Sequence, residues 1–136
     1  CSSALRARQT AELVAEAAGY TEEVVFLDEL YLSEVDENLN TLRELPDSIE
    51  RVMLIGHNPG LETLLQILSN RIESLPTAVI AHIVLPISHW QLLDSNVEGD
   101  LVEIWRPKEL LNEPEDKKET KAKKDKAKEK DKKKNK

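Results

Sequence analysis

Two segments of the chain carry residue types suited to holding a phosphoryl group. One is Ser2-Ser3-Ala4-Leu5-Arg6-Ala7-Arg8-Gln9-Thr10; the other, some fifty residues later, is Val52-Met53-Leu54-Ile55-Gly56-His57-Asn58-Pro59-Gly60. Arg6 falls in the first turn of a helical pattern, where backbone N–H groups lack intrahelical acceptors and the helix dipole favours anions. Its guanidinium can grip two phosphoryl oxygens at once in a fixed geometry, which a lysine cannot. Arg8 lies two residues on, points elsewhere round the helix, and is not expected to serve the same site. His57 ends an apolar run at a glycine, the position where open α/β sheets gather their ligand-binding groups. The Asn58-Pro59-Gly60 turn then opens a helix N-terminus toward the same crevice. An imidazole placed there can donate a hydrogen bond to a phosphoryl oxygen and stabilise charge developing in transfer. Arg6, His57 and Asn58 are therefore the expected phosphate-binding group.

The remaining candidates are weighed against these. Asp28-Glu29 follows the short apolar Val24–Phe26 segment, and Glu29 reads either as an acid that approaches the site or as a solvated surface carboxylate. His82 and His89 complete the three histidines of the chain. No pair of them has the i, i+4 helical spacing of a strong metal motif and there is no cysteine cluster, so no metal site is expected. No cofactor is expected either. Trp90 and Trp105 flank the last hairpin and read most simply as packing residues.

The elements that must position these residues follow from periodicity. Ser3 is placed to cap a helix running to about Ala18, with Leu13, Val14, Ala17 and Ala18 as its apolar stripe and Gly19 as its end. Val24, Val25 and Phe26 suggest a short strand. Val35, Leu39 and Leu42 fall at i, i+4 and i+7, giving a second helix from near Ser33 to before Pro46. Arg51 to Ile55 reads as a buried strand. Leu61, Leu64, Leu65 and Leu68 make the stripe of a third helix that begins beside Pro59. The rest reads as strands at Ala78–Leu85, Trp90–Leu93 and Leu101–Trp105, with a polar turn at Asn96–Asp100 between the last two. Helix and strand alternate early and strands cluster late. The expected class is α/β with a mixed sheet, antiparallel at one side.

Charge divides the chain. Residues 1–113 hold 7 Lys and Arg against 20 Asp and Glu, a balance of −13, whereas residues 114–136 hold 12 Lys against 6 acids, a balance of +6. The tail 114–136 has no aliphatic or aromatic residue larger than alanine and is expected to be disordered, or at most a transient helix. Its interleaved acids and lack of aromatic residues argue for a solubilising role over nucleic-acid binding. Residues 1–113 are enough for one domain. One cysteine forms no intrachain disulfide, no apolar run approaches the ~18 residues of a membrane span, and no signal peptide is visible. A cytoplasmic location, with no membrane partner, is the expectation. The chain opens with Cys1 and passes straight into a helical pattern, so it is expected to be a piece of a longer protein, or a product trimmed or misassigned at its start.

S-S-x-L-R-A-x-Q-T followed by L-I-G-H-N-P-G resembles the histidine phosphatase superfamily, and most closely its small SixA-type phosphohistidine phosphatases. Leu75-Pro76-Thr77-Ala78 leading into a strand, and then Trp90, are also similar to that pattern. The resemblance spans residues 1 to about 110, roughly the carboxyl-terminal two thirds of the family domain. It implies a three-layer, phosphoglycerate-mutase-like fold with a mostly parallel sheet and helices on both faces. It also implies a phosphohydrolase acting on a phosphorylated protein, above all on phosphohistidine, or on a small phosphate ester. Arg6 falls on the family's phosphate-binding arginine and His57 on its second active-site histidine. Larger members use an acid to protonate the leaving group, the role open to Glu29. The family's nucleophile is a histidine in an Arg-His-Gly motif at the end of the first strand. No Arg-His pair occurs here, since Gly56, Ala81 and Ser88 precede the three histidines. Residues 1–136 are therefore expected to be inactive alone, because without a nucleophile the covalent phosphohistidine route is lost. The alternative is a non-catalytic protein that binds phosphate or a phosphoprotein.

Overall fold

The computed structural model describes residues 1–111. The segment 114–136, read from its composition as a disordered tail, lies outside the described residues. The chain divides after Ile104 into two units, and of the second only Trp105 to Leu111 are described. That short part holds helix α4, Pro107–Leu111. The first unit, residues 1–104, holds helices α1 (Leu5–Ala18), α2 (Val35–Arg43) and α3 (Gly60–Ser69), strand β1 (Ile80–Val84) and most of strand β2 (Asp100–Trp105). The protein is thus mixed α/β, and its one regular sheet among the described residues is an antiparallel pair, β1 with β2. Among those residues no helix is long and apolar enough to cross a membrane.

The core forms where two leucine stripes meet. Leu39 and Leu42 of α2 pack with Leu64 and Leu68 of α3, and Leu93 and Val97 close the cluster. Leu93 is wholly buried, and its carbonyl accepts a hydrogen bond from Nε of Arg43, tying the chain after β1 to the end of α2. The α3 stripe is the one the spacing predicts.

Elsewhere the sequence reading needs correction. The buried face of α1 is alanine, at Ala7 and Ala11 with Ala4 just before the helix, while Leu13 of the predicted stripe is 68% exposed. Ser3 does not cap α1. The N-cap is Ala4, and its N–H is taken instead by the Ser2 hydroxyl at 3.3 Å. Gly19 does end the helix, in the left-handed conformation (φ 65°) that lets its N–H reach back to the last turn. Trp90–Leu92 is a 3₁₀ turn, not a strand; the Trp90 indole donates to the Ile49 carbonyl at 2.7 Å, whereas Trp105 is 40% exposed.

The predicted strands at Val24–Phe26 and Arg51–Ile55 form no ladder, and Val52 and Met53 are exposed rather than buried. Cys1 and Ser2 lie between them. The Cys1 amine donates to the Val25 carbonyl, Leu27 N–H to the Cys1 carbonyl, and Ser2 N–H to the Ile55 carbonyl, each at 2.9 Å. Ser2 and Leu27 form a single parallel bridge. Two residues of shared edge make a bridge but no repeating ladder. They do bring the start of α1 against the segment that leads into α3.

Candidate functional site

Helix α1 begins three residues after Ser2, and α3 begins three residues after His57. The link between Ser2 and Ile55 therefore sets two helix N-termini side by side, with His57 between them. Ser2 is fully buried, and its hydroxyl oxygen lies 2.7 Å from Nε2 of His57. On the other side of the ring, Nη2 of Arg6 stands 3.2 Å from Nδ1. Tyr31 follows a 3₁₀ turn at Asp28–Leu30 and meets the imidazole edge-to-face, with ring centroids 5.8 Å apart and planes at 70°. The Arg6 guanidinium carbon is 6.0 Å from the Tyr31 ring centre, within range of a cation–π contact.

Donor and acceptor bookkeeping fixes the state of the imidazole. A guanidinium only donates, so Nδ1 of His57 must accept and carry a bare lone pair. A neutral imidazole has one N–H, which is then on Nε2 and donates to the Ser2 oxygen. Burial holds the His57 pKa below its ordinary value, and the positive charge of Arg6 lowers it further. At neutral pH the ring is uncharged, and Arg6 and the Nδ1 lone pair face each other at the exposed side of the site.

The two residues named first from the sequence are thus brought together. Arg6 and His57, 51 positions apart, are hydrogen-bonded. Arg8 is turned away as its spacing predicts: Nε donates to the Ser3 carbonyl at 2.9 Å, and the guanidinium carbon sits 4.4 Å from the centre of the Phe26 ring. Asn58 is next to the site, but its amide nitrogen donates to the Leu75 carbonyl and to Oε1 of Glu62 at 3.2 Å. Glu62 also accepts Leu75 N–H at 2.9 Å, so the side chain of Asn58 fastens the loop before β1 to the first turn of α3. Glu29 lies in the 3₁₀ turn before Tyr31, exposed, and is not among the partners of Arg6 or His57 in the described residues.

His82 is exposed on β1, and His89 pairs with Asp47 at 2.9 Å on the surface. Among the described residues no cluster of three His, Cys, Asp or Glu side chains could hold a metal ion. Sequence reasoning missed Ser2 and Tyr31. Ser2 stands in the first motif but reads there as part of a helix start. Tyr31 belongs to no periodic pattern.

The arrangement sets one exposed cation and one imidazole beside the starts of two helices, groups whose chemistry suits a tetrahedral oxyanion. Comparison with protein-family models, with curated proteins and with solved structures gives no match.

Proposed function

We propose that the Arg6–His57 pair is the phosphoryl-binding half of a phosphohydrolase related to the SixA-type histidine phosphatases, acting on phosphohistidine in a protein or on a small phosphate ester in the cytoplasm. The observation that supports this most strongly is the 3.2 Å contact between Arg6 and His57, made across 51 residues at the joint start of two helices. An arginine placed against an imidazole is poorly arranged for stability, since its charge disfavours the imidazolium. It is well arranged to clamp an anion that enters between them. In this reading Arg6 holds two phosphoryl oxygens, His57 contacts a third, and the N–H groups opening α1 and α3 add partial positive charge. Transfer of this kind depends chiefly on positioning and charge stabilisation. The attacking histidine comes from an Arg-His motif outside residues 1–136, on a strand that completes a three-layer fold with a mostly parallel sheet. Glu29 supplies the leaving-group proton when the substrate is an ester; an imidazole leaving group can do without it.

The test has two stages. Inorganic phosphate is titrated into the ¹⁵N-histidine-labelled chain, with perturbation of His57 expected and its loss in Arg6→Ala. Turnover of phosphohistidine is then measured for the chain preceded by a strand ending in Arg-His. Arg6→Ala should lower it ~10²–10³-fold, as for loss of one preorganised donor, and His57→Ala should lower it as well. Phosphate binding that ignores Arg6 refutes the site. Binding without turnover in the extended chain favours the non-catalytic alternative, a phosphate- or phosphoprotein-binding protein.

A further inference from the structure

The turn that presents Tyr31 is pinned at three places. Leu27 N–H donates to the Cys1 carbonyl at 2.9 Å, Leu30 is buried, and the Ser33 carbonyl packs against Gly60 at the start of α3. Between the last two, Leu32 holds a left-handed backbone (φ 48°) although its side chain is largely exposed. A leucine adopts that conformation at a cost, and only where its surroundings over-determine it. The side chain that this backbone sets in place is Tyr31, whose ring lies against both Arg6 and His57. Among the described residues no carboxylate pairs with Arg6. Its guanidinium has five N–H groups, one of which Nη2 directs at Nδ1 of His57, 3.2 Å away. Contact with the face of an aromatic ring consumes none of them. Tyr31 therefore restrains Arg6 without competing with an anion for donors, as a carboxylate would.

We propose that Tyr31 is the positioning residue of the Arg6–His57 pair, holding the guanidinium against the imidazole while leaving its N–H groups to an anion. The contact itself needs no ligand; its consequence for binding rests on the reading of the pair as a phosphoryl site. An exposed cation–π contact is worth ~2–5-fold in an equilibrium. Without the ring, Arg6 occupies the binding pose less often by up to that factor, and apparent anion affinity falls with the occupancy. His57 reports the same loss independently. Its pKa is held low by burial and by the charge of Arg6, so an Arg6 that swings away lets it rise. The charged and titratable groups on the elements that meet at the ring are few. They are the Cys1 amine, bonded to Val25; Arg6, with Arg8 turned to Phe26; Asp28, Glu29 and Tyr31; and Glu62 of α3, occupied with Asn58 and Leu75. Of these, Arg6 is the charge that acts on the imidazole.

The experiment follows the His57 titration by ¹⁵N NMR in the chain, in Tyr31→Leu, in Arg6→Gln and in the double variant. It also measures dissociation constants of inorganic phosphate for the chain, Tyr31→Leu and Tyr31→Phe. Tyr31→Leu should raise the His57 pKa when Arg6 is present, and raise it much less once Arg6 is replaced by glutamine. It should weaken phosphate binding ~2–5-fold, whereas Tyr31→Phe, which keeps the ring, should restore it. Equal rises in pKa with and without Arg6 overturn the inference, because Tyr31 then acts on the imidazole by burial alone. A loss of affinity in Tyr31→Phe as large as in Tyr31→Leu also overturns it, since the hydroxyl then touches the anion directly. Should Tyr31→Leu not fold, nuclear Overhauser contacts between the Tyr31 ring and the Arg6 side chain of the unsubstituted chain decide it, and their absence overturns it. Failure of the chain to bind phosphate, with the Arg6-dependent rise in pKa intact, overturns the phosphoryl reading and leaves the positioning role of Tyr31 standing.

Discussion

Replacing Gly60 by alanine tests how the start of α3 is held. A Cβ built on Gly60 falls 2.4 Å from the Ser33 carbonyl oxygen and 3.3 Å from Nδ2 of Asn38, whereas real Cβ atoms essentially never approach closer than 3.0 Å. At least 0.6 Å of separation must therefore be opened between two backbones, with no flexible side chain to absorb it. Overpacking of this kind costs ~1–3 kcal/mol and the better helix propensity of alanine returns at most ~1 kcal/mol, so a backbone clash at the upper end of that range leaves a net loss of ~2 kcal/mol or more. Two controls bracket the argument. Gly56→Ala places its Cβ 3.5–3.7 Å from the side chains of Leu54 and Leu61 and should stay within ~0.5 kcal/mol of the parent. Gly99→Ala meets the Leu68 carbonyl at 2.5 Å, a comparable clash at the opposite end of α3. Urea unfolding followed by circular dichroism gives the stabilities, and phosphate titration gives the state of the site. Both clashing variants should lose stability. Only Gly60→Ala should also weaken phosphate binding, because Ser33 is two residues from Tyr31. A Gly60→Ala chain as stable as Gly56→Ala would refute the reasoning.

Further expectations follow from the same geometry. Burial and Arg6 depress the His57 pKa in the folded state, so between that value and the unfolded 6.5 the unfolded chain binds more protons and stability rises with pH. His57→Gln should flatten this part of the curve of melting temperature against pH, and Arg6→Gln should move the His57 titration upward as followed by NMR. Arg8→Ala should retain phosphate binding but lose ~0.5–1 kcal/mol of stability with its Phe26 contact, read by urea unfolding. Leu93→Ala removes a wholly buried side chain from the α2–α3 cluster and should cost ~2–5 kcal/mol in the same assay.

What could be read in advance depended on whether a signal was local. The α3 leucines repeat at helical spacing and face the core, and the turn before them marks where the helix starts. That Arg6 and His57 come together was legible because each stands beside a helix start that its neighbours mark, and the structure places the two in contact. The face of α1 was misread because hydrophobicity ranks Leu13 above Ala7 and Ala11, yet the small side chains are the ones buried. The strands at 24–26 and 51–55 were misread because an apolar run shows extended chain but not the neighbour that would make a ladder. Asn58 is adjacent to the site as expected, and its amide is claimed by Glu62 one turn along the helix and by a carbonyl seventeen residues away. Ser2 escaped notice because its partner is 55 residues distant, and nothing local marks a serine that orients a histidine.

The span of these contacts has a kinetic consequence. α2 and α3 are near neighbours in the chain and share the leucine core, so their pairing closes a short loop. The Ser2–His57 and Arg6–His57 bonds close loops of 55 and 51 residues, with a larger entropic cost and little hydrophobic surface to offset it. Folding can thus reach a collapsed α2–α3 core while the proposed anion site is still open, and the Arg6–His57–Ser2 contacts are complete only when the Cys1–Ser2 segment has docked between its two neighbours. An anion bound by Arg6 and His57 stabilises only that last state, by an amount that grows with its concentration. Phosphate in a refolding buffer should therefore slow unfolding far more than it speeds collapse, acting on this chain as a latch.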